Sequence, residues 1–432
     1  MLELINKKKI FYIFLILFSI ALYIFGFISN EDSAGGGAID FNNTWNNQKI
    51  FDQNSLNESI ENTKSGKILP FKNSHFPTSY ILNKYLNPFS VDKETFRKSI
   101  FILNIFLPLI LFFTLKNIFK KENIYLLAAY SSIIYLSPYF RTSAYWSSLE
   151  NYGLYCLIIS IYFFTKYKNC LGLGENIKLK NFYIASISFF SCFCVYFDQK
   201  LLFVPLIYLV FVLKFEKNIN SKILYLILNI LLAIPIISLI FYWGSIIPPH
   251  TANTRNVGNL YFEQIGYSIS IIFFYLIPFI LCNYKILIKK IFFDKNLVIN
   301  LISVFTILLI LFLINPNYGG WENYGKGWLH KLAIIIFQDQ IHQKIFTYIV
   351  FFMTLMITIS ILKREKILIF FTVYICLISI IINPIFQEYF DPLVFIILST
   401  FFYKNTELNH YFLVTAYSFS FVFLLFTNIY YL

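Results

Sequence analysis

The sequence predicts an all-α polytopic membrane protein of about 11 to 13 spanning helices. Of its 432 residues, 58% are hydrophobic and only 13% are charged, and the apolar residues come in long blocks. Because no water reaches the bilayer core to pair with backbone groups, runs of about 20 apolar residues are typical of spanning helices. The alternating pattern of a membrane barrel is missing. We therefore predict one integral membrane domain, residues 1–432, with a longer external loop at 29–98.

The apolar runs define the predicted spans. The first run, residues 10–28, exceeds the core of a signal peptide, about 7 to 15 residues, so we predict an uncleaved span. Several middle runs are shorter than the roughly 17 residues of a full span, and we expect these to tilt or to thin the bilayer. The further runs are 99–115, 124–140, 152–164, 182–197, 201–213, 223–243, 265–281, 297–314, 345–362, 367–382, 393–403 and 411–432.

The distribution of charge predicts the orientation. Lys7, Lys8 and Lys9 precede the first span, and the positive-inside rule places them in the cytoplasm. The loops that then face inward hold 21 of the 35 Lys and Arg residues but only 7 of the 22 acidic residues. We therefore attribute the positive charge to the orientation in the membrane and to contact with anionic lipids. Nucleic acid is not an expected partner. We predict a multi-pass protein of the inner (plasma) membrane, with a cytoplasmic N-terminus and a periplasmic or external active face.

The stretch 31–40 is the first candidate for chemistry. It carries Glu31, Asp32 and Asp40 around three consecutive glycines, directly after the first span. An ionisable group beside the hydrocarbon costs desolvation free energy unless it has a partner or a task. A solvated helix end is the simpler alternative for Glu31 and Asp32.

Most of the other unusual polar clusters also fall on the predicted outer side. His75 lies within the external loop, and a structural ion pair between Arg141 and Glu150 is an alternative to a functional role for those two residues. His330 and Lys331 have the alternative of snorkelling at the interface. The outer-side candidates are His75, Arg141, Glu150, Asn151, Asp198, Gln199, Lys200, Arg255, Lys326, His330, Lys331, Glu388 and Asp391.

These residue types suit a lipid-linked substrate. Arg and Lys bind a phosphate at the headgroup level, while Asn, Gln, Asp and Glu bind sugar hydroxyls. The six cysteines form no Cys-x-x-Cys pair and have no metal-ligand spacing, so no protein metal site is predicted. The sequence demands no cofactor, although participation of a divalent cation stays open.

An acidic pair after the first span, a long outer loop and short middle spans resemble the GT-C superfamily of polyprenyl-phosphate-sugar-dependent glycosyltransferases. That family carries an acidic pair followed by an aromatic residue and a later His-x-Pro segment. Glu31-Asp32 and His75-Phe76-Pro77 occupy these places, but Ser33 and Ala34 stand where the aromatic residue is expected. Either Asp32 or Asp40 is thus left as the functional carboxylate.

The resemblance implies sugar transfer from a polyprenyl-phosphate-linked donor to a glycan or lipid acceptor. Asp32 would be the general base, with Glu31 and Asp40 as the other catalytic candidates. The donor phosphate would be bound among Arg141, Lys200, Arg255, Lys326 and Lys331. The substrate-binding candidates are His75, Glu150, Asn151, Asp198, Gln199, His330, Glu388 and Asp391.

Two other function classes compete with this one. A glycan polymerase or ligase of the O-antigen type has similar hydropathy and depends on a large late outer loop, here residues 315–344. A lipid or solute transporter or flippase places charged residues at mid-membrane depth and often shows repeat symmetry. This chain has its ionisable residues near the span ends and no obvious repeat, which favours an enzyme.

Overall fold

A computed structural model of the chain describes residues 2–171, 177–254, 260–262, 264–293, 302, 306, 325–362, 366–381, 385–401 and 409–431. Within these ranges the secondary structure is entirely helical, without a strand, as predicted. The chain forms two compact units. The first contains Met1–Asn256 and Ser420–Leu432, and the second contains Val257–Phe419. The predicted span at 297–314 lies almost wholly outside the described residues.

The helices that begin in the first unit include several long apolar helices and the helices of the predicted external loop. They are α1 Leu2–Ile28, α2 Gly37–Gln53, α3 Leu56–Ser65, α4 Thr78–Leu86, α5 Lys93–Ile105, α6 Leu107–Ile118, α7 Ile124–Ser131, α8 Pro138–Tyr145, α9 Asn151–Cys170, α10 Ile177–Phe197, α11 Phe203–Phe215, α12 Ile219–Trp243 and α13 Pro249–Thr254.

The helices that begin in the second unit are α14 Gln264–Phe293, α15 Trp328–Ile336, α16 Gln340–Leu362, α17 Lys366–Ser379, α18 Leu393–Phe401 and α19 His410–Tyr431. Three short 3-10 helices occur at Ser132–Leu136, Gln199–Leu202 and Gln387–Tyr389. The first of these separates α7 from α8, so the predicted span at 124–140 is interrupted.

Six helical segments among the described residues are long and apolar enough to cross a membrane, as expected for a multi-pass helical membrane protein. Each corresponds to a predicted run, and the total of 11 to 13 spans stays a prediction. The segments are Lys7–Ile28, Lys93–Ile118, Ile177–Phe197, Ile219–Trp243, Gln264–Tyr284 and His410–Tyr431.

The stretch 29–98, predicted as an external loop, contains the helices α2, α3 and α4. Helix α3 begins with a capping box, in which the Ser55 hydroxyl accepts from the backbone of Glu58 and the Glu58 carboxylate accepts from the backbone of Ser55. The Asp92 carboxylate caps α5 in a similar way. These capping contacts help to explain why helices form in a stretch of polar composition.

A buried hydrophobic core packs these loop helices against α5 and the residues just before α9. We call it the loop core; it consists of Phe41, Trp45, Phe51, Phe71, Tyr80, Phe96, Ile100 and Leu149, with Trp146 and Tyr152 packed against it. Several of its members are aromatic and bury a large apolar area each. The loop core thereby places the loop beside the residues around 146 and 150.

Candidate functional site

After α1 the chain makes a turn whose backbone conformation requires glycine. Gly35 and Gly36 have φ values of 77° and 79°, a left-handed conformation that glycine adopts without steric cost. Gly37 starts α2, and an added Cβ there would collide with the rings and methyl group of Trp146 and Thr142. The three glycines therefore serve a tight turn and a close approach, not a flexible loop.

Two hydrogen bonds attach this turn to α8. The Ser33 hydroxyl donates to the Pro138 carbonyl at 2.9 Å, and the backbone N–H of Ala34 donates to the Thr142 hydroxyl at 2.9 Å. Both contacts join residues more than 100 positions apart in the chain. The turn is consequently fixed relative to α8.

Glu31 and Arg141 form a buried ion pair. The Arg141 Nε donates to Glu31 Oε1 at 2.7 Å, its Nη2 donates to Glu31 Oε2, and Arg141 is only 1% exposed. Backbone carbonyls of Leu22 and Tyr135 accept two further bonds from the guanidinium. A bidentate pair with satisfied donors is the geometry in which a buried charge is tolerated.

Only one of the two carboxylate oxygens of the neighbouring Asp32 accepts a hydrogen bond. Its Oδ2 accepts from the backbone N–H of Gly37 at 2.8 Å and so caps α2, whereas Oδ1 is buried without a hydrogen-bond partner. Burial raises the pKa of Asp32 above its usual value, although the backbone hydrogen bond from Gly37 opposes this shift. The carboxylate is therefore a stronger base than an ordinary surface aspartate.

Five of the predicted residues converge in one group, which we call the His75 cluster: His75, Glu150, Asp198, Gln199 and Lys200. His75 Nε2 lies 2.8 Å from Glu150 Oε1, and His75 Nδ1 lies 2.8 Å from Gln199 Oε1. The contacts join the external loop to the start of α9 and to the turn between α10 and α11. Residues up to 124 positions apart thus meet at the helix ends.

The protonation of His75 follows from its partners. Gln199 Nε2 donates to the Ser74 carbonyl at 3.0 Å, so its amide oxygen faces the imidazole and must accept from Nδ1–H. The proton between His75 Nε2 and Glu150 Oε1 is then shared by a base and a carboxylate. Burial lowers the pKa of His75, but the bonded Glu150 carboxylate and the charge of Asp198 raise it more, and the net pKa lies above 6.5.

The second half of the cluster is the Asp198 to Lys200 turn. Lys200 Nζ lies 3.2 Å from Asp198 Oδ2, and the Lys200 backbone N–H donates to Asp198 Oδ1 at 3.0 Å. Their side chains are 14% and 10% exposed. Gly153 of α9 permits the close packing, because an added Cβ would lie 3.0 Å from Leu201 and 3.5 Å from the Asp198 Cβ.

Three further candidates, Asn151, Asp40 and Arg255, are not members of the His75 cluster. Asn151 begins α9 and is 5% exposed, and its Nδ2 is buried without a partner. Asp40 is exposed in the first turn of α2, where a carboxylate stabilises the helix dipole. Arg255 lies outside the described residues.

In the second unit, Lys326, His330 and Lys331 gather around aromatic rings. Lys326 Nζ lies 5.4 Å from the centre of the Tyr267 ring, and the His330 ring packs edge-on against the same tyrosine. Lys331 Nζ lies 4.8 Å from the centre of the Trp328 ring. These contacts thus join cationic or imidazole side chains to aromatic rings.

Burial changes the titration of two members of this group. It lowers the pKa of His330 to about 4, with a further contribution from Lys326, so the imidazole is neutral at pH 7. It also lowers the pKa of Lys331 to about 8. Glu388 is exposed in the 3-10 helix at Gln387–Tyr389, and Asp391 is 7% exposed just after it.

Sequence reasoning missed several polar groups of the first unit. Tyr80 accepts from Asn73 at 2.7 Å and from Asn47 at 3.3 Å, which ties α4 to the segment before His75. Arg97, at the start of the second membrane helix, is 7% exposed. The position of Arg97 beside the apolar run was the available signal, since an arginine at a span end is normally exposed.

Within the part of the chain that the structure describes, no group of three or more His, Cys, Asp or Glu side chains is arranged to hold a metal ion. Comparison with known protein families, with characterised proteins and with solved structures found no match.

Proposed function

We propose that this chain is a membrane glycosyltransferase that transfers a sugar from a polyprenyl-phosphate-linked donor to a glycan or lipid acceptor on the outer side of the membrane. The supporting observation is the convergence of His75, Glu150, Asp198, Gln199 and Lys200 at the membrane-helix ends beneath the folded external loop. A proton-sharing pair, a carboxylate and a cation in one place are the groups that acid–base chemistry on a charged lipid requires.

In this proposal Asp32 is the general base. Its Oδ1 has no competing partner and its pKa is raised, both of which favour proton abstraction. As the acceptor hydroxyl attacks the anomeric carbon, its proton passes to Asp32. The bond from that carbon to the phosphate oxygen breaks, and the polyprenyl phosphate departs with the electron pair.

The other acidic candidate of the pair has a different role. Because both oxygens of Glu31 are engaged by Arg141, the two residues hold α1 against α8 and thereby position Asp32, one residue further on. Lys200 pairs with Asp198, and its charge acts on the neighbouring His75. We assign it to the charge that develops on the departing phosphate.

The direct test is Asp32→Asn, because asparagine can still cap Gly37 and the fold should survive. We expect transfer to fall by about 100-fold or more, the range that general-base catalysis supplies. Membranes carrying each variant are incubated with radiolabelled polyprenyl-phosphate sugars and the labelled product is measured. Glu61→Gln removes a carboxylate from an exposed part of the same loop and serves as the charge control.

Undiminished transfer by Asp32→Asn, with Glu61→Gln also active, would remove Asp32 from the reaction. Loss of transfer in Asp40→Asn alone would assign the base to Asp40 instead. Loss confined to Arg255, His330 and Lys331 variants would favour the polymerase or ligase class, since that class depends on the late outer segment.

A further inference from the structure

The structure contains a second buried arginine that, unlike Arg141, has no carboxylate bound to it among the described residues. Arg97 is 7% exposed, and its Nε donates to the Tyr145 carbonyl at 2.7 Å. Its Nη2 is buried without a hydrogen-bond partner. Both arginines contact Tyr145, since the Arg141 guanidinium lies 5.4 Å from the centre of its ring and Arg97 donates to its carbonyl. Of the two, only Arg141 pairs with a carboxylate among the described residues.

Two aromatic rings enclose the guanidinium of Arg97. It lies 4.2 Å from the centre of the Trp146 ring and 4.8 Å from that of Phe27. Such stacking orients the planar group and shields its faces, and only its edge is left for hydrogen bonding. A buried cation of this kind is costly unless an anion pairs with it.

The chain itself supplies no such anion among the described residues. Glu94 is the one carboxylate with a noticeable electrostatic effect on Arg97, and it is more than half exposed and paired with Lys98 at 3.5 Å. Ser147, next to Trp146, adds a second unsatisfied group: it is fully buried at a φ of 54°, and its hydroxyl has no partner. Arg97 Nη2 and the Ser147 hydroxyl are thus both unsatisfied, and Arg97 contacts Tyr145 and Trp146, the two residues before Ser147.

We propose that Arg97, with Trp146 and Ser147, forms a binding subsite for a phosphate ester. Arginine donors match a phosphate edge-on, and Arg97 lies at the outer end of the second membrane segment, Lys93–Ile118, where lipid phosphates occur. Assignment of the ester to the lipid-linked sugar donor rests on the proposed function. Binding of the phosphate itself does not, so the two proposals fail separately.

The test measures binding of dodecyl phosphate to the purified full-length protein in dodecyl maltoside, by the shift of the thermal unfolding midpoint. Arg97→Gln should weaken binding about tenfold or more. Lys98→Gln removes the same charge from the adjacent exposed position and should change affinity less than about twofold. Equal affinity of R97Q and wild type would overturn the proposal.

Two comparisons identify the source of the phosphate. Inorganic phosphate should bind at least about tenfold more weakly than dodecyl phosphate, because it lacks the alkyl chain. Nanodiscs containing phosphatidylglycerol should not compete, relative to phosphatidylcholine alone. Equal binding of inorganic phosphate, or full competition by phosphatidylglycerol, would overturn the assignment to a donor-type lipid phosphate.

A fluorescence titration avoids any change at Arg97, in case R97Q does not fold. Because Trp146 stacks on the guanidinium, dodecyl phosphate should alter tryptophan emission in the wild type. Trp146→Phe should abolish this change, and Trp243→Phe, which removes a ring packed on Phe76, should keep it. An emission change that survives Trp146→Phe would place the phosphate elsewhere and contradict the proposal.

Discussion

Two adjacent carboxylates illustrate how residue environment decides role. Glu31 engages both oxygens with one guanidinium, whereas Asp32 uses one oxygen as a helix cap and keeps the other unpaired. The sequence shows two equal acidic residues, and it cannot reveal that Arg141, 110 positions away, selects the first. Local spacing instead suggested a pair between Arg141 and Glu150.

The structure replaces that alternative with two other pairs. Arg141 binds Glu31, and Glu150 binds His75. Both partners come from segments far away in the chain, so spacing could not identify them. What the sequence could predict was the set of candidates, because charged groups beside apolar runs are unusual whatever their partners.

His75 provides a pH-dependent prediction. Since its pKa is raised in the folded protein, the stabilisation by Glu150 is fully present below about pH 6.5 and is lost as the pH rises through the folded pKa. The difference in unfolding midpoint between wild type and His75→Gln should therefore shrink as the pH rises from 6 to 9. At pH 6 we expect the substitution to cost about 1.5 kcal/mol, a charged hydrogen bond.

Glu150→Gln supplies the matched test, because it keeps a hydrogen-bond partner for His75 and removes the charge. This variant should flatten the pH dependence. His342→Gln removes an imidazole from an exposed pair with Asp339. This variant should leave the pH dependence of the unfolding midpoint unchanged. A difference between wild type and His75→Gln that grows with pH would contradict the raised pKa.

At the scale of elements, the external loop was the largest gap in the sequence prediction. Residues 29–98 are rich in Asn, Ser, Lys and Glu, and this composition predicted a long polar loop without specifying any helix in it. Yet α2, α3 and α4 form there because Ser55 and Glu58 cap α3 and because the loop core buries Phe41, Trp45 and Phe51. Apolar contacts between elements outweighed the low average hydropathy.

The packing of α9 on the Asp198 turn predicts the effect of a larger side chain. Gly153→Val would press its methyl groups on Leu201 and Asp198, so we expect a loss of about 1 to 3 kcal/mol in stability and reduced transfer. Gly153→Ala should lower stability less, since the closest atom is a terminal methyl group of the Leu201 side chain, which can shift. Unfolding midpoints in detergent and transfer assays measure both effects.

Ser238→Val is a suitable comparison, because it adds similar volume on an exposed position of α12. This variant should leave stability and transfer nearly unchanged. If Gly153→Val behaved like Ser238→Val, the close contact between α9 and the turn would have no functional importance.

At the scale of the whole molecule, hydrophobicity alone predicted the class of protein. The six apolar segments agree with predicted runs because backbone groups must be satisfied within each helix in a bilayer. Helix α12 is largely exposed around its circumference, as expected for a lipid-facing helix. The interruption between α7 and α8 was not predicted, since periodicity cannot distinguish one long helix from two short ones.

The orientation of the whole chain gives the last prediction. The segment Lys93–Ile118 has 26 residues and spans about 39 Å, enough to cross the hydrocarbon core. Glu61 in the external loop and Lys121 after this segment must then face opposite sides, and the positive-inside rule places Glu61 outside. In a cysteine-free background, Glu61→Cys should react with a membrane-impermeant maleimide in intact cells, and Lys121→Cys only after permeabilisation.

This experiment also tests the donor class. Asp32 and His75 belong to the same loop as Glu61, so the labelling of Glu61→Cys places the proposed base and acid–base pair on the outer side. Soluble nucleotide-activated sugars are made in the cytoplasm, and a transferase working outside needs a donor that the membrane carries across, such as a lipid-linked sugar. Labelling of Lys121→Cys in intact cells with protection of Glu61→Cys would place the site inside and remove the main reason for a lipid-linked donor.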